Sequence, residues 1–146
     1  MRQRQHEAGF TLLEILIVLV IAMSLTAIVL KFSWKIAEAK ELERFFTQIE
    51  LDIHYIQTYS MDQRQYIAMT FESGANRYVI QKGVFANLYV RPFPKGVKFL
   101  PDESSIYRLI YNYSGNVMTA GTLTFKTPEG YKRVIITLGR GRARVE

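Results

Sequence analysis

Hydrophobic residues are distributed along this chain in three ways. Residues 10–30 (FTLLEILIVLVIAMSLTAIVL) form an almost unbroken apolar run of 21 residues, and at ~1.5 Å rise per residue a helix of that length spans a ~30 Å hydrocarbon core. Beyond it the pattern turns amphipathic. Leu42, Phe46, Ile49, Ile53, Ile56 and Ser60 recur at spacings of four and three with Phe45 beside them, while Glu38, Lys40, Glu41, Glu43 and Arg44 take the other side. No Gly or Pro stands between Phe10 and Ser73, so nothing breaks one helix from the apolar run to about Gln63. Such a helix is ~80 Å long.

Downstream the period drops to two. Gln65–Phe71 alternates with Ile67, Met69 and Phe71 on one face, and Ser73-Gly74-Ala75-Asn76 reads as a hairpin turn into Arg77–Gln81. Further strands are predicted at Val84–Arg91, Val97–Leu100, Tyr107–Tyr113, Thr122–Lys126, Lys132–Leu138 and Arg142–Val145, punctuated by Pro92, Pro94, Pro101 and Pro128. The expected fold is α+β, a long amino-terminal helix packed on a small antiparallel sheet. Four stretches follow: a leader at 1–9, a membrane-spanning helix at 10–30, its amphipathic continuation at 31–63, and an antiparallel β domain at 64–146. A stripe as short as Leu42–Ser60 is expected to pack on the chain's own sheet rather than on a coiled-coil partner.

The leader carries Arg2 and Arg4 against Glu7, which keeps it cytoplasmic and exports the rest, although Lys31 and Lys35 weaken the bias. A cleaved secretory signal is the competing reading. Its apolar core runs only ~7–15 residues before a small-x-small site; here the run is longer, and Ala37-Glu38-Ala39 falls well beyond it, inside predicted helix. Trp34, just past the span, suits an interfacial anchor.

Glu14 is the most informative position. A carboxylate at the centre of a membrane helix costs roughly 2.5–3.5 kcal/mol on insertion scales, and less near an end. One reading leaves it reaching headgroups or water. The other starts from a cut between Gly9 and Phe10, which creates a cationic amine four residues before it. That amine and a neighbouring subunit's Glu14 would then neutralise each other in a medium of low dielectric constant.

Composition narrows the chemistry. The chain has no cysteine, hence neither a disulfide framework nor a thiolate metal site. Its net charge is +6, and the excess lies late: from residue 53 onward there are 13 bases and 6 acids. A basic exterior domain can meet DNA, teichoic acid or anionic lipid, or simply stay soluble. Arg140, Arg142 and Arg144 alternate in GRGRARVE and in a strand would share one face; with Lys132 and Arg133 they form a candidate DNA-contacting patch. The alternative is an edge strand whose charges discourage aggregation. The nine tyrosines offer stacking surfaces for single-stranded DNA, but packing on a sheet is the expected role.

Nothing in the sequence points to an enzyme, a cofactor or a metal. His6 lies in the leader, and His54 beside the apolar stripe reads as a half-buried packing residue. No G-x-S-x-G, P-loop or dinucleotide fingerprint occurs. Glu50 and Asp52 read as part of a solvated helix face.

The short charged leader ending at Gly9, then Phe10-Thr11-Leu12-Leu13-Glu14 and the apolar run, resembles the prepilin-type cleavage and methylation motif of type IV pilin-like proteins. By that resemblance a prepilin peptidase cuts after Gly9 and methylates the amine of Phe10. The apolar segment stays as membrane anchor and later filament core, and Glu14 makes an assembly contact with other pilin or pseudopilin subunits. Asn112-Tyr113-Ser114-Gly115-Asn116, Gly121–Phe125 and Leu138-Gly139-Arg140-Gly141-Arg142 resemble the minor pilin and pseudopilin group that contains the type II secretion H subunit. Within that group the likeness is to the ComGD family of Gram-positive competence minor pseudopilins. It implies a single-pass protein of the cell membrane, exposed at the surface after assembly into a transformation pilus used in DNA uptake. A type II secretion pseudopilus is the alternative, as is a subunit that grips DNA through its basic carboxy-terminal strand.

Overall fold

The structure, a computed structural model, describes residues 11–83 and 86–146. Gly9 and Phe10, the rest of the leader, and Val84 and Phe85 of the third predicted strand lie outside the described residues. The chain divides into two compact units, Met1–Lys40 and Glu41–Glu146, and one helix, α1 (Leu12–Asp62), contributes to both.

In the first unit the helix begins on a side-chain cap. The Glu14 backbone N–H donates to the Thr11 carbonyl at 3.0 Å and to its Oγ1 at 3.3 Å, so Thr11 and Glu14 hold the spacing of a capping box. Ser24 and Thr26 turn their hydroxyls back onto the carbonyls of Val20 and Ala22, both at 2.8 Å. These two hydroxyls are thereby paired within the helix itself, as a hydrocarbon environment requires.

The second unit is built on residues 41–62 of α1 and two antiparallel sheets of four strands each. Ile67–Glu72 (β1), Arg77–Lys82 (β2), Ala86–Pro92 (β3) and Arg108–Tyr111 (β5) make the first, in the order β3-β2-β1-β5. Lys98–Phe99 (β4), Gly121–Thr127 (β6), Gly130–Ile136 (β7) and Ala143–Val145 (β8) make the second, in the order β4-β6-β7-β8. The predicted turn at 73–76 joins β1 to β2. Asn76 there takes a left-handed backbone (φ 52°), and Arg77 pairs with Glu72 at 2.6 Å across the hairpin mouth.

Two sheets stand where one was expected. The segment around Pro92 and Pro94 carries the chain from the edge of the first sheet to the edge of the second, because proline cannot extend a ladder. Val117 links the sheets again, bridging Tyr111 on one side and Gly139 on the other.

Every member of the predicted helix stripe is buried: Leu42, Phe45, Phe46, Ile49, Ile53, Ile56 and Ser60. They meet Ile67, Met69, Phe71, Ile80 and Leu109 from the first sheet and Leu123, Phe125, Val134 and Ile136 from the second. Phe125 is the aromatic centre, with ring centroids of Phe45, Phe46, Phe71, Phe93 and Phe99 between 5.5 and 6.1 Å away. Burying one such side chain contributes roughly 1.5–3 kcal/mol, so this cluster is the main source of cohesion between helix and sheets.

Candidate assembly and binding surfaces

In the first unit the side chains themselves define a surface. The large apolar residues between Leu12 and Leu30 are exposed by between 51% (Ile17) and 83% (Leu12). The helix is long and apolar enough to cross a membrane, and none of its most apolar window is buried in the protein. Glu14 stands in the first turn of this exposed helix, where a carboxylate complements the positive end of the helix dipole. Trp34 is likewise exposed.

The glycine-bearing loops of the second unit meet at the far part of α1. Gln57 donates through its one side-chain amide to the carbonyls of Gly115 (2.9 Å) and Arg140 (2.8 Å). Tyr111, fully buried, donates its hydroxyl to the Gly141 carbonyl at 2.8 Å, and the Val117 N–H donates to the Gly139 carbonyl at 2.9 Å. Burial pushes the Tyr111 hydroxyl up to about 12. Gly141 has φ +62°, and a Cβ there would run into the Tyr111 hydroxyl and the Val117 side chain. Gly115, at φ +72°, would place one 2.5 Å from Met61 Sδ. These glycines let two loops close against the helix; their role in the fold is packing.

The five predicted cationic contacts are only partly brought together. Arg140 and Arg142 precede β8 and are exposed; Arg144 lies in β8, exposed and ion-paired with Glu146. Lys132 and Arg133 are successive residues of β7 and therefore point to opposite faces. Arg133 lies opposite Thr124, and Ile135 two residues on lies opposite Arg144, so Arg133 and Arg144 share the outer face of the second sheet. That face also carries Lys98 and Lys126, paired directly across β4 and β6. Sequence reading missed them; the alternation of Lys126 with Phe125 was the available signal. One acid tempers the face, since Glu146 binds Arg144.

Two readings of α1 are corrected. Asp52 is not on a solvated face. It is buried, accepting hydrogen bonds from Tyr78 Oη (2.7 Å), Arg91 Nε (2.6 Å) and Gln48 Nε2 (2.8 Å). Burial, with the carboxylate beside it, drives the Tyr78 hydroxyl pKa far upward, and the same carboxylate raises that of Arg91. Tyr78 and Arg91 are supplied by β2 and β3, which a helix-local reading does not see. His54, expected half-buried, is exposed, because Ile53 and Ile56 take the core face on either side of it.

The tyrosines divide. Tyr78 and Tyr111 are core residues, whereas Tyr66, Tyr89, Tyr107, Tyr113 and Tyr131 are each about half exposed or more. Tyr55 stacks on Tyr59 (centroids 5.5 Å apart) and meets Tyr89 edge-on at 5.7 Å, and Arg91 lies 5.6 Å over the Tyr89 ring. Among the described residues no three His, Asp or Glu side chains come together as metal ligands.

Residues 4–30 match the prokaryotic N-terminal methylation motif, which spans the end of the leader, Glu14 and the exposed apolar helix. The chain that carries this motif has a pilin-like fold, one long helix packed on antiparallel sheets. The fold is similar to that of the type IV minor pilin FimU of Pseudomonas aeruginosa (strain PAO1), known in two crystal forms. One superposes with a TM-score of 0.56 at 14% identity, covering 75% of this chain and 89% of that one. The other gives 0.52, again at 14% identity, covering 68% and 88%. No curated protein sequence matches the chain.

Proposed function

We propose that this protein is a minor pilin or pseudopilin subunit of a competence type IV pilus machinery, required for pilus assembly and DNA uptake. The observation that carries the reading is the methylation motif at residues 4–30, set on a helix whose large apolar side chains from Leu12 to Leu30 are exposed. In this account residues 1–9 are a cytoplasmic leader, 10–30 a single membrane span and then filament core, 31–63 its amphipathic continuation, and 64–146 the exported domain. Prepilin peptidase cuts between Gly9 and Phe10 and methylates the new amine. Glu14 of one subunit then neutralises the Phe10 amine of another, which turns two groups that are costly in lipid into a contact that sets axial register. Competence is favoured over type II secretion by the likeness of the 112–116 and 138–142 loops to ComGD.

The test is genetic and biochemical together. Gly9→Ala is expected to block processing, and Glu14→Ala to leave processing intact while assembly and transformation fall at least tenfold. Unchanged processing, assembly and transformation in both variants would overturn the reading. Loss of protein secretion with normal transformation would favour the secretion pseudopilus instead.

A second reading, direct contact with DNA, draws on Lys98, Lys126, Arg133 and Arg144 sharing one face, with Arg140 and Arg142 beside it. Phosphate contact makes binding steeply salt-dependent. Anisotropy titrations of the full chain in nonionic detergent at two salt concentrations decide it. Binding unaffected by replacing Arg140, Arg142 and Arg144, or insensitive to salt, excludes that role.

A further inference from the structure

The two sheets end in four edges, and they are not alike. The outer side of β5 is covered by the chain itself, since Met118 donates to the Ile110 carbonyl and Thr119 Oγ1 accepts the Ile110 N–H. β4 is two residues long, and β8 is three, flanked by Arg142 and carrying Arg144. Short length and charge are the ordinary means of closing a sheet edge to other chains. β3 lacks both means over its last stretch. It is a seven-residue edge strand with Tyr89 and Val90 exposed at 47% and 46%. Its one charge, Arg91, is already engaged by Asp52. A bulge at Leu88 ends the regular ladder on one side, and Pro92, with no N–H, ends it on the other. Among the described residues no strand pairs with the outer side of Tyr89–Arg91.

That short ladder runs into a groove. A cavity of about 450 Å³ opens between α1 and the end of β3, floored by Phe45 and Phe93 and rimmed by Glu41, Arg44, Arg91 and Pro94. On the helix side of the strand stands the Tyr55–Tyr59–Tyr89 cluster. Backbone hydrogen bonds beside a pocket for one side chain are the two parts of recognition by strand addition.

We propose that the Tyr89–Arg91 edge and the adjoining groove accept an extended segment of a different pilin-type subunit, which adds a strand to the first sheet and rests an apolar side chain on the packed Phe45–Phe93 pair. The inference rests on the reading of this chain as a pilus subunit. Pairing of β3 with the β3 of a second copy would be isologous and would close on itself, whereas a growing filament requires head-to-tail contacts between unlike surfaces. Polyanions are disfavoured, because Arg91, the one charge of the strand, is held by Asp52, and Glu41 stands with Arg44 on the rim of the groove.

The test places a photo-reactive phenylalanine analogue at Val90 or Arg44, with Tyr107 and Tyr131 as exposed controls, in cells assembling the machine. Positions 90 and 44 are expected to link to one segment of one other subunit bearing the same kind of leader. Scanning the analogue across that segment should return cross-links to β3 at every second residue. Val90→Lys, at an exposed site, should reduce the link from position 44 at least tenfold while the near-ultraviolet circular dichroism of the purified chain is unchanged. Links to a second copy, to nucleic acid or to lipid, or equal yield at the controls, overturn the proposal. If the chain is processed and assembled and Val90→Lys behaves as wild type, strand addition fails and the pilin reading stands. If leader processing itself is absent, the pilin reading fails as well.

Discussion

Replacing Asp52 with alanine tests how the helix is fastened to the first sheet. The carboxylate accepts from Tyr78 Oη at 2.7 Å, Arg91 Nε at 2.6 Å, Arg91 Nη2 at 3.3 Å and Gln48 Nε2 at 2.8 Å. Its loss falls unequally on these donors. Tyr78 is fully buried and its hydroxyl has no water to turn to, a cost of about 1–3 kcal/mol. The Arg91 side chain is 38% exposed and can rehydrate, so its share is about 0–1 kcal/mol. Gln48 is half-buried beside the groove and adds little. The total expected for Asp52→Ala is about 1–4 kcal/mol. Tyr78→Phe alone leaves the carboxylate its other donors and should cost about 1 kcal/mol. The double variant has no orphaned hydroxyl, so its cost should fall short of the sum of the singles by about 1–2 kcal/mol. Urea unfolding of the full chain in nonionic detergent, followed by near-ultraviolet circular dichroism, measures all four corners of the cycle. Additive costs, or an Asp52→Ala cost below about 0.5 kcal/mol, would refute the claim that this buried acid couples helix to sheet.

Two further predictions concern the carboxy-terminal loops. Tyr111 stays neutral in the folded state up to about pH 12, whereas in the unfolded chain it ionises near 10. The stability it contributes is complete below pH 10 and declines by about 1.4 kcal/mol per pH unit as the pH rises from 10 toward 12. Urea titrations at pH 9 and 11.5 should therefore show a smaller alkaline loss in Tyr111→Phe than in wild type; equal losses would contradict this. Gly141→Ala combines a left-handed backbone with a Cβ driven against the Tyr111 hydroxyl, and should cost about 2–4 kcal/mol. In a Tyr111→Phe background the same change should cost measurably less.

Much of this fold was legible in the sequence because its signals are periodic. The stripe from Leu42 to Ser60 needs only the 3.6-residue repeat to reveal its buried face, and Ile67, Met69 and Phe71 need only the two-residue one. The division into two sheets was not legible, since pairing partners such as Phe99 and Phe125 are set by tertiary geometry. Asp52 was misread for the same reason: its partners lie 26 and 39 residues away. Of the candidate cationic patch, the sequence grouped Lys132 with Arg133 by proximity, while the pleat separates them and substitutes Lys98 and Lys126. The tail glycines stood out in the sequence, but their packing role, with Gln57 and Tyr111 reaching across to Arg140 and Gly141, appeared only in three dimensions.

The central claim is that the leader and Glu14 belong to one processing and assembly device, and the amino terminus of the mature chain tests it most directly. Intact-mass and peptide mass spectrometry of protein purified from membranes should find a chain beginning at Phe10, one methyl group heavier at its amine. The same protein carrying Gly9→Ala should retain the whole leader, residues 1–9, with no methyl group at Phe10. A wild-type chain that keeps its leader, or one cut after Ala39, would contradict the account.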